Sequence, residues 1–374
     1  MPHVVQISFF TDPSGRRPEE LLRAWPRLVA FAEAAGNAGV QVSVVQASAH
    51  AQELTREGVR YFFLPVGAHA TTVDTGRSLG GLLRSLAPDL LHVQGLGFAR
   101  DVVALAALAP GVPILLQDHA DRLPRFWRRR LWRQAFSLTA GLAFCTREQA
   151  RPFIEAGLIG AATKVYEVPE CPSRFTMGDQ TQARRLTSLS GDPCLLWVGH
   201  LTSSKESLAV LDGVSDAVQW LPALQLWCCF GSEPLLPAVQ RRIERDPRLR
   251  GRVHVLGQIA HDYIEQLMRA ADVFVLGSHS AGCGDSLIEA LACGLAPVVT
   301  DIPSFRALTA NGTLGALWSR GDAQGLTAAL VSVAAMPRAP LRAALRAHFD
   351  QQLSFAAVGR RLSGTYRDLI GADP

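Results

Sequence analysis

The sequence is nearly free of lysine: of its 37 basic side chains, 35 are arginine and only Lys164 and Lys205 are lysine. Charged residues of all kinds make up 19% of the chain against 48% hydrophobic, which excludes a disordered polypeptide. The net charge of +4 is far from the dense positive field of a nucleic-acid binder, so no nucleic-acid partner is expected. What surplus there is lies in residues 1–175, with 19 basic and 15 acidic side chains; residues 176–374 balance at 18 each.

Other absences narrow the classes further. The seven cysteines include no CxxC pair and no zinc-site spacing, so no metal centre is expected. Most sit in apolar runs such as Leu226-Trp227-Cys228-Cys229-Phe230 and read as reduced core thiols of a cytosolic protein. The longest uncharged apolar run, 102–116, is broken by Pro110 and Pro113 and falls short of the ~18 residues a membrane span needs. The first apolar run, 3–10, has no basic start and is cut by Thr11-Asp12-Pro13, so it reads as a strand and not as a signal peptide. A soluble, cytoplasmic protein is expected. No G-x-G-x-x-G opens a helix, since Gly95-Leu96-Gly97-Phe98-Ala99-Arg100 has two glycines and then fails; a nicotinamide dehydrogenase is disfavoured. There is also no Walker A loop, no G-x-S-x-G elbow and no D-x-D.

At 374 residues the chain is too long for one ordinary core and suggests two. Apolar, strand-like runs at 3–10, 40–47, 61–66, 90–94, 113–117, 141–146 and 165–168 alternate with helix-length amphipathic segments such as 19–35 and 99–108. The second half repeats the plan with runs at 194–198, 225–230, 253–256, 273–276, 297–300 and 315–318. This βαβα order implies parallel sheets covered by helices on both faces. The polar, aperiodic stretch 173–193 reads as the linker. The expected fold is α/β, with two Rossmann-like parallel-sheet domains, 1–175 and 176–351, facing across a cleft at the carboxyl ends of their strands. A last amphipathic segment, 354–370, places Phe355, Val358, Leu362 and Tyr366 at helical spacing and needs a partner surface.

The segment 272–304, DVFVLGSHSAGCGDSLIEALACGLAPVVTDIPS, carries the most chemistry. It reads as a strand, a turn at Gly282-Cys283-Gly284, a helix opening at Asp285-Ser286, and a further strand. Glycines allow close backbone approach, and a helix N-terminus offers free N–H donors and a positive dipole end, which together suit a phosphate. Glu289, four residues beyond Asp285, can reach back to the same mouth. An ordinary turn with an exposed glutamate is the alternative reading of these residues.

Beginning at Ser278, this block resembles the donor-site signature of retaining GT-B glycosyltransferases of family 4, S-x-x-E-G-F/x-G-x-x-x-x-E-A-x-A-C-G-x-P-V. Gly282, Gly284, Glu289, Ala290, Ala292, Cys293 and Gly294 are in register, and Pro297 and Val298 follow one residue later than the signature has them. The resemblance implies a nucleotide-diphosphate sugar bound on the second domain, with no metal and no other cofactor. Glu289 would hold the ribose hydroxyls, and the turn formed by Gly282, Cys283, Gly284, Asp285, Ser286 and Leu287 would cradle the diphosphate. The family's first glutamate, which contacts the donor sugar, aligns with Ala281, which accepts no hydroxyl hydrogen bond. Val198-Gly199-His200-Leu201-Thr202-Ser203-Ser204-Lys205 resembles the family's V-G-R-L-x-x-x-K, making Lys205 the group that stabilises the leaving diphosphate. His200 replaces the arginine and is fully charged only when protonated. The run 253–259 followed by Ala260-His261-Asp262-Tyr263 resembles the family's G-x-V turn, with Gly257 and Ile259 against the base.

The first half is similar more loosely. Leu90-Leu91-His92-Val93-Gln94 resembles a D-x-x-H-x-H strand, and Gln117-Asp118-His119 an H-D element whose histidine faces the donor sugar. That implies a catalytic role for His119 beside Lys205; by itself, His119 also reads as a structural histidine. Where relatives carry Gly-Gly after the first strand, only Gly15 is present. The most basic stretch is 124–136, PRFWRRRLWRQAF. On a helix, Trp127, Leu131 and Trp132 share one face, with Arg125, Arg129 and Arg133 on another. This suits a membrane surface or an anionic acceptor, or else a core stripe with a solvated arginine face. The resemblance further implies that 352–374 crosses back to the first domain. The activity it implies is transfer of a hexose, with retention, from a nucleotide-diphosphate sugar to a glycan or lipid-linked glycan. That suits polysaccharide biosynthesis at the inner face of a membrane. The alternatives are a catalytically silent GT-B protein binding nucleotide sugar or glycan, and an engineered inactive variant of an active transferase.

Overall fold

The computed structural model describes residues 1–66, 72–169, 172–280 and 284–371. They form two compact units, one of Met1–Pro172 with Phe355–Pro374 and one of Ser173–Ser354. Both are α/β, each built on its own sheet.

In the first unit the apolar runs become strands β1 (His3–Ser8), β2 (Gln41–Ser48), β3 (Gln52–Arg56), β4 (Val59–Pro65), β5 (Leu90–Gln94), β6 (Ile114–Gln117), β7 (Gly141–Phe144) and β8 (Lys164–Glu167). Their order in the sheet is β3-β4-β2-β1-β5-β6-β7-β8, and every pairing is parallel except β3 with β4. Side chains alternate across the sheet. Val5, Ile7, Leu91 and Val93 enter one core with helices Ala99–Leu108 and Arg129–Ser137. Val4, Leu90 and Leu115 enter the other, with helices Pro26–Asn37 and Phe355–Ile370.

Three local features depart from the sequence expectation. β3 has no apolar signature in the sequence: QELTR is polar and largely exposed, and it pairs with β4 across a two-residue hairpin turn in which Glu57 and Gly58 both take positive φ. The single helix expected over 19–35 is two, Pro18–Ala24 and Pro26–Asn37, because Pro26 donates no N–H and forces Trp25 out of the helical region. Cys145, expected as a reduced core thiol of the 141–146 run, is instead partly exposed just past β7 and disulfide-bonded. The free thiols of Cys194, Cys228, Cys229 and Cys293 are buried, and burial pushes each above the usual thiol range.

The last helix, Phe355–Ile370, packs on Pro26–Asn37 and buries Val358, Leu362 and Tyr366. The approach is close at Gly359, where a β-carbon would lie 3.1 Å from the Cβ of Ala38. The Tyr366 hydroxyl lies 2.8 Å from His92 Nδ1 and accepts from the Gln6 amide at 3.3 Å.

The second unit holds β9 (Cys194–Gly199), β10 (Gln225–Phe230), β11 (Val253–Gly257), β12 (Val273–Leu276), β13 (Ala296–Thr300) and β14 (Ala316–Trp318), all parallel in the order β11-β10-β9-β12-β13-β14. The stretch 173–193 is not merely a linker, since it contains helix Gln180–Thr187. Asp179 caps it by accepting from the Gln182 N–H at 2.9 Å, and Ser188 closes it in the left-handed region. Only Ala183 of this helix is buried, so apolar periodicity could not reveal it. Arg184 anchors it at 2.7 Å to the Asp272 carboxylate, which also accepts from the Cys194 N–H. Among the described residues no helix is long and apolar enough to cross a membrane.

Candidate nucleotide-sugar site

From β9 the second-unit sheet grows through β10 to β11 on one side and then restarts with β12 on the other. The carboxyl ends of β9 and β12 therefore flank a topological switch point, the place where open parallel sheets bind ligands. Lys205 and Ser278 join across it. Lys205 ends a short turn after β9, and its Nζ donates to Ser278 Oγ at 3.3 Å. Ser278 is fully buried: its N–H donates to Thr300 Oγ1 at 2.9 Å, and its hydroxyl donates to the Ser280 carbonyl at 2.8 Å. Burial pushes the Lys205 ammonium down, and the Asp285 carboxylate opposes that.

Glu206 follows Lys205 with φ of 52°, a conformation costly for any residue with a β-carbon. Its carboxylate holds it there, pairing with His279 Nε2 and accepting from the Gly321 N–H at 3.1 Å. The His279 N–H donates to the Ser204 carbonyl at 2.9 Å. The lysine turn and the segment after β12 are thus fastened at three points. The sequence alone does not mark Glu206, His279 or Ser278 as individual site residues. Ser278 opens the signature block, but the other two have no local signal.

The helix Asp285–Ala292 opens on Gly284, whose φ of 75° and proximity to the Phe305 ring leave no place for a side chain. Asp285 and Ser286 form its first turn, half-buried. Leu287 is fully buried, and its N–H donates to the Gly284 carbonyl at 3.0 Å, so this amide closes the helix's first turn. Ala281, Gly282 and Cys283 lie outside the described residues. One turn on, Glu289 Oε1 lies 2.7 Å from Nε2 of His261, the first residue of helix His261–Ala270. The Glu289 side chain is 16% exposed and that of His261 56%. The hydrogen bond that Glu289 accepts raises the His261 pKa against the opposing effect of burial, and Asp262 and Asp285 add to the rise. Gly257 ends β11 with φ of 74°, and Ile259, half-buried, leads into the His261 helix. Asp285 bears on both Lys205 and His261, so the two clusters share one electrostatic environment. His200 is exposed on the β10 side, its Nδ1 3.2 Å from the Ser232 hydroxyl and its ring over Gly231, where a β-carbon would meet it at 2.6 Å.

In the first unit, β1 and β5 flank the corresponding switch point. Gly15 turns the loop after β1 with φ of 60°, and its carbonyl lies 3.1 Å from His50 Nε2. Asp12 stiffens that loop by accepting from the N–H groups of Ser14 and Arg16. His119 follows β6, its Nε2 2.9 Å from Gln94 Oε1 and its N–H donating to the Asp121 carboxylate. Residues 125–133 do not form one helix. Phe126–Arg128 is a 3-10 turn, and the α-helix starts only at Arg129. Trp132 is buried against Phe136 and Phe153, whereas Trp127 is 58% exposed and leaves the core-facing stripe. Among the described residues no cluster of three or more His, Cys, Asp or Glu side chains could hold a metal ion.

Two parallel-sheet α/β units, with a lysine and a glycine-capped helix at the switch point of the second, define the GT-B class. Solved structures share the fold. Sucrose-phosphate synthase from Thermosynechococcus elongatus superposes with a TM-score of 0.76 at 17% identity, covering 100% of both chains. Anabaena HepE in complex with UDP and glucose gives 0.68 at 17% identity over 97% of this chain and 98% of that one. The model of glycosyl transferases group 1 matches residues 192–335, and that of Glycosyltransferase Family 4 matches residues 27–165. The chain thus carries a glycosyl transferases group 1 domain and a Glycosyltransferase Family 4 domain. It is 24% identical over 254 residues to the GDP-mannose:cellobiosyl-diphosphopolyprenol alpha-mannosyltransferase of Xanthomonas campestris, 66% of this chain and 64% of that one. It is 32% identical over 130 residues, 33% of each chain, to the phosphatidyl-myo-inositol mannosyltransferase of Mycolicibacterium smegmatis. The chain thus spans less than two thirds of the length of either relative.

Proposed function

We propose that this protein transfers a hexose, with retention, from a nucleotide-diphosphate sugar to a glycan or lipid-linked glycan. The observation that carries the reading is the Lys205–Ser278 contact across the switch point, with the Asp285–Ala292 helix opening beside it. Departure of the nucleotide diphosphate is the step that demands charge stabilisation. A half-desolvated ammonium and a helix N-terminus supply it, both fixed before the reaction begins. Glu289 accepts the ribose hydroxyls, Gly257 and Ile259 line the base, and His119 of the first unit is the polar group assigned to the sugar. The two relatives named for mannosyl transfer to lipid-bearing acceptors support this acceptor class. Retention rests on the family resemblance alone.

The acceptor side includes a contact with the inner face of a membrane. Phe126 and Trp127 are 77% and 58% exposed and pack edge to face, with the Arg125 guanidinium 5.2 Å from the Trp127 ring. Exposed aromatics ringed by arginine suit an anionic lipid surface. A second reading, a silent protein that binds nucleotide sugar without turnover, is favoured by Ala281, which lacks the acceptor that the family places on the sugar.

Calorimetry with UDP, GDP and ADP tests the site. Lys205→Ala and Glu289→Gln should each weaken the preferred nucleotide at least tenfold, since charge-assisted hydrogen bonds are worth about 1.5–3 kcal/mol. Unchanged affinity in folded variants would remove the site from the second unit.

A further inference from the structure

The Glu289–His261 pair joins two helices that follow successive strands of the chain, His261–Ala270 after β11 and Asp285–Ala292 after β12. It is not a general surface ion pair. Glu289 is mostly sheltered, while the imidazole is open to solvent on one side. The ring has a second restraint, since the side chain of Phe175 lies 5.0 Å from it, centroid to centroid, and Phe175 is itself buried. A carboxylate on the first turns of a short helix has several rotamers, and binding two vicinal hydroxyls requires one of them. A hydrogen bond of 2.7 Å to a ring held from behind selects that rotamer in advance.

We propose that His261 is a positioning residue for nucleotide binding: it fixes the Glu289 carboxylate so that the remaining acceptor sites face the ribose hydroxyls. This rests on the assignment of Glu289 to the ribose. A carboxylate offers about four lone-pair sites, so the bond to His261 does not by itself exclude a vicinal diol. The imidazole serves in either charge state, because a neutral ring can still donate from Nε2. The protonated ring donates more strongly and adds a positive charge near a diphosphate ligand. The groups that bear on it are Glu289 and Asp285 from the Asp285–Ala292 helix and Asp262 from its own helix, all acidic; Phe175 contributes an uncharged face. Affinity is therefore greatest with the ring protonated and falls by a few-fold as pH rises through a value above the usual histidine range.

The test uses the full chain and calorimetric titration with UDP, GDP, ADP and inorganic pyrophosphate. His261→Ala should weaken the preferred nucleoside diphosphate three- to tenfold and leave pyrophosphate, which has no ribose, unchanged. His261→Gln can donate at a similar reach and should recover to within twofold of the parent, while losing the parent's fall in affinity between pH 6.5 and 8.5. Equal weakening of pyrophosphate and nucleotide, or equal loss in both variants with a lowered melting point, would show that His261 only supports the fold. Unchanged nucleotide affinity in His261→Ala alongside a weakened Glu289→Gln would overturn this inference and leave the ribose assignment standing. If Glu289→Gln is also unchanged, or no nucleotide binds the parent, the assignment beneath it fails as well.

Discussion

Gly277 passes beneath Lys205 with no room for a side chain: a β-carbon there would lie 2.9 Å from the Lys205 carbonyl oxygen. The same β-carbon would also collide with the Cβ of Glu206. The position of the chain's only lysine in the second unit thus depends on a glycine 72 residues away in sequence.

Gly277→Ala should push the lysine turn off the end of β12. Overpacking of this kind costs about 1–3 kcal/mol, and here it also breaks the fastening through Glu206 and His279. Thermal unfolding and nucleotide-diphosphate calorimetry should show a lower melting point together with at least fivefold weaker binding. A variant matching the parent in both would mean that the turn is not held by this contact.

Tyr366→Phe removes the hydroxyl that stands between His92 and Gln6 inside the first unit. Leaving buried polar atoms unpaired costs about 1–3 kcal/mol, to be read from urea unfolding. Deleting residues 352–374 goes further, uncovering the helix Pro26–Asn37 where Val358, Leu362 and Tyr366 pack, and should cause aggregation. A truncated chain with the parent's solubility and melting point would contradict the packing.

His92 makes stability depend on pH. Burial, with a smaller contribution from His119, pushes its pKa down to about 3, whereas the unfolded ring titrates near 6.5. Between those values the unfolded chain binds the extra proton, so the contribution is complete above pH 6.5 and is lost as pH falls toward 3. The slope from this one residue approaches ~1.4 kcal/mol per pH unit. Comparing urea unfolding of the parent and His92→Gln from pH 7 to 5 should show a shallower decline in the variant. Parallel declines would show that His92 is not the group responsible.

The sheets were legible in the sequence because their strands are buried on both faces and read as unbroken apolar runs, as in Leu195, Leu196 and Trp197. β3 escaped because an exposed edge strand has no apolar signature, and helix Gln180–Thr187 escaped because it buries a single alanine. In the site, Lys205 and Glu289 stand out through their spacing to glycines. Glu206, His279 and the partnership of His261 with Glu289 do not, since each depends on segments 28 to 73 residues apart meeting in space. A helical wheel over 125–133 groups Trp127 with Leu131 and Trp132, but the α-helix begins only at Arg129 and leaves Trp127 outside that stripe.

Ala281 lies outside the described residues, and its consequence follows from chemistry alone. A sugar hydroxyl left without an acceptor costs about 1–3 kcal/mol, or roughly 5- to 150-fold in rate. Ala281→Glu should therefore raise donor turnover above that of the parent with UDP-, GDP- or ADP-linked sugars. Loss of activity on gaining the glutamate would show a pocket built for a different donor geometry.

The central claim, sugar transfer from a nucleotide donor bound at Lys205 and Glu289, is tested most directly by mass spectrometry of reactions with a panel of nucleotide sugars and with glycan and lipid-linked acceptors. The account predicts an acceptor heavier by one hexose with release of one nucleotide diphosphate, and loss of that product in Lys205→Ala. Nucleotide binding without product across the whole panel would contradict transfer and establish the silent protein instead.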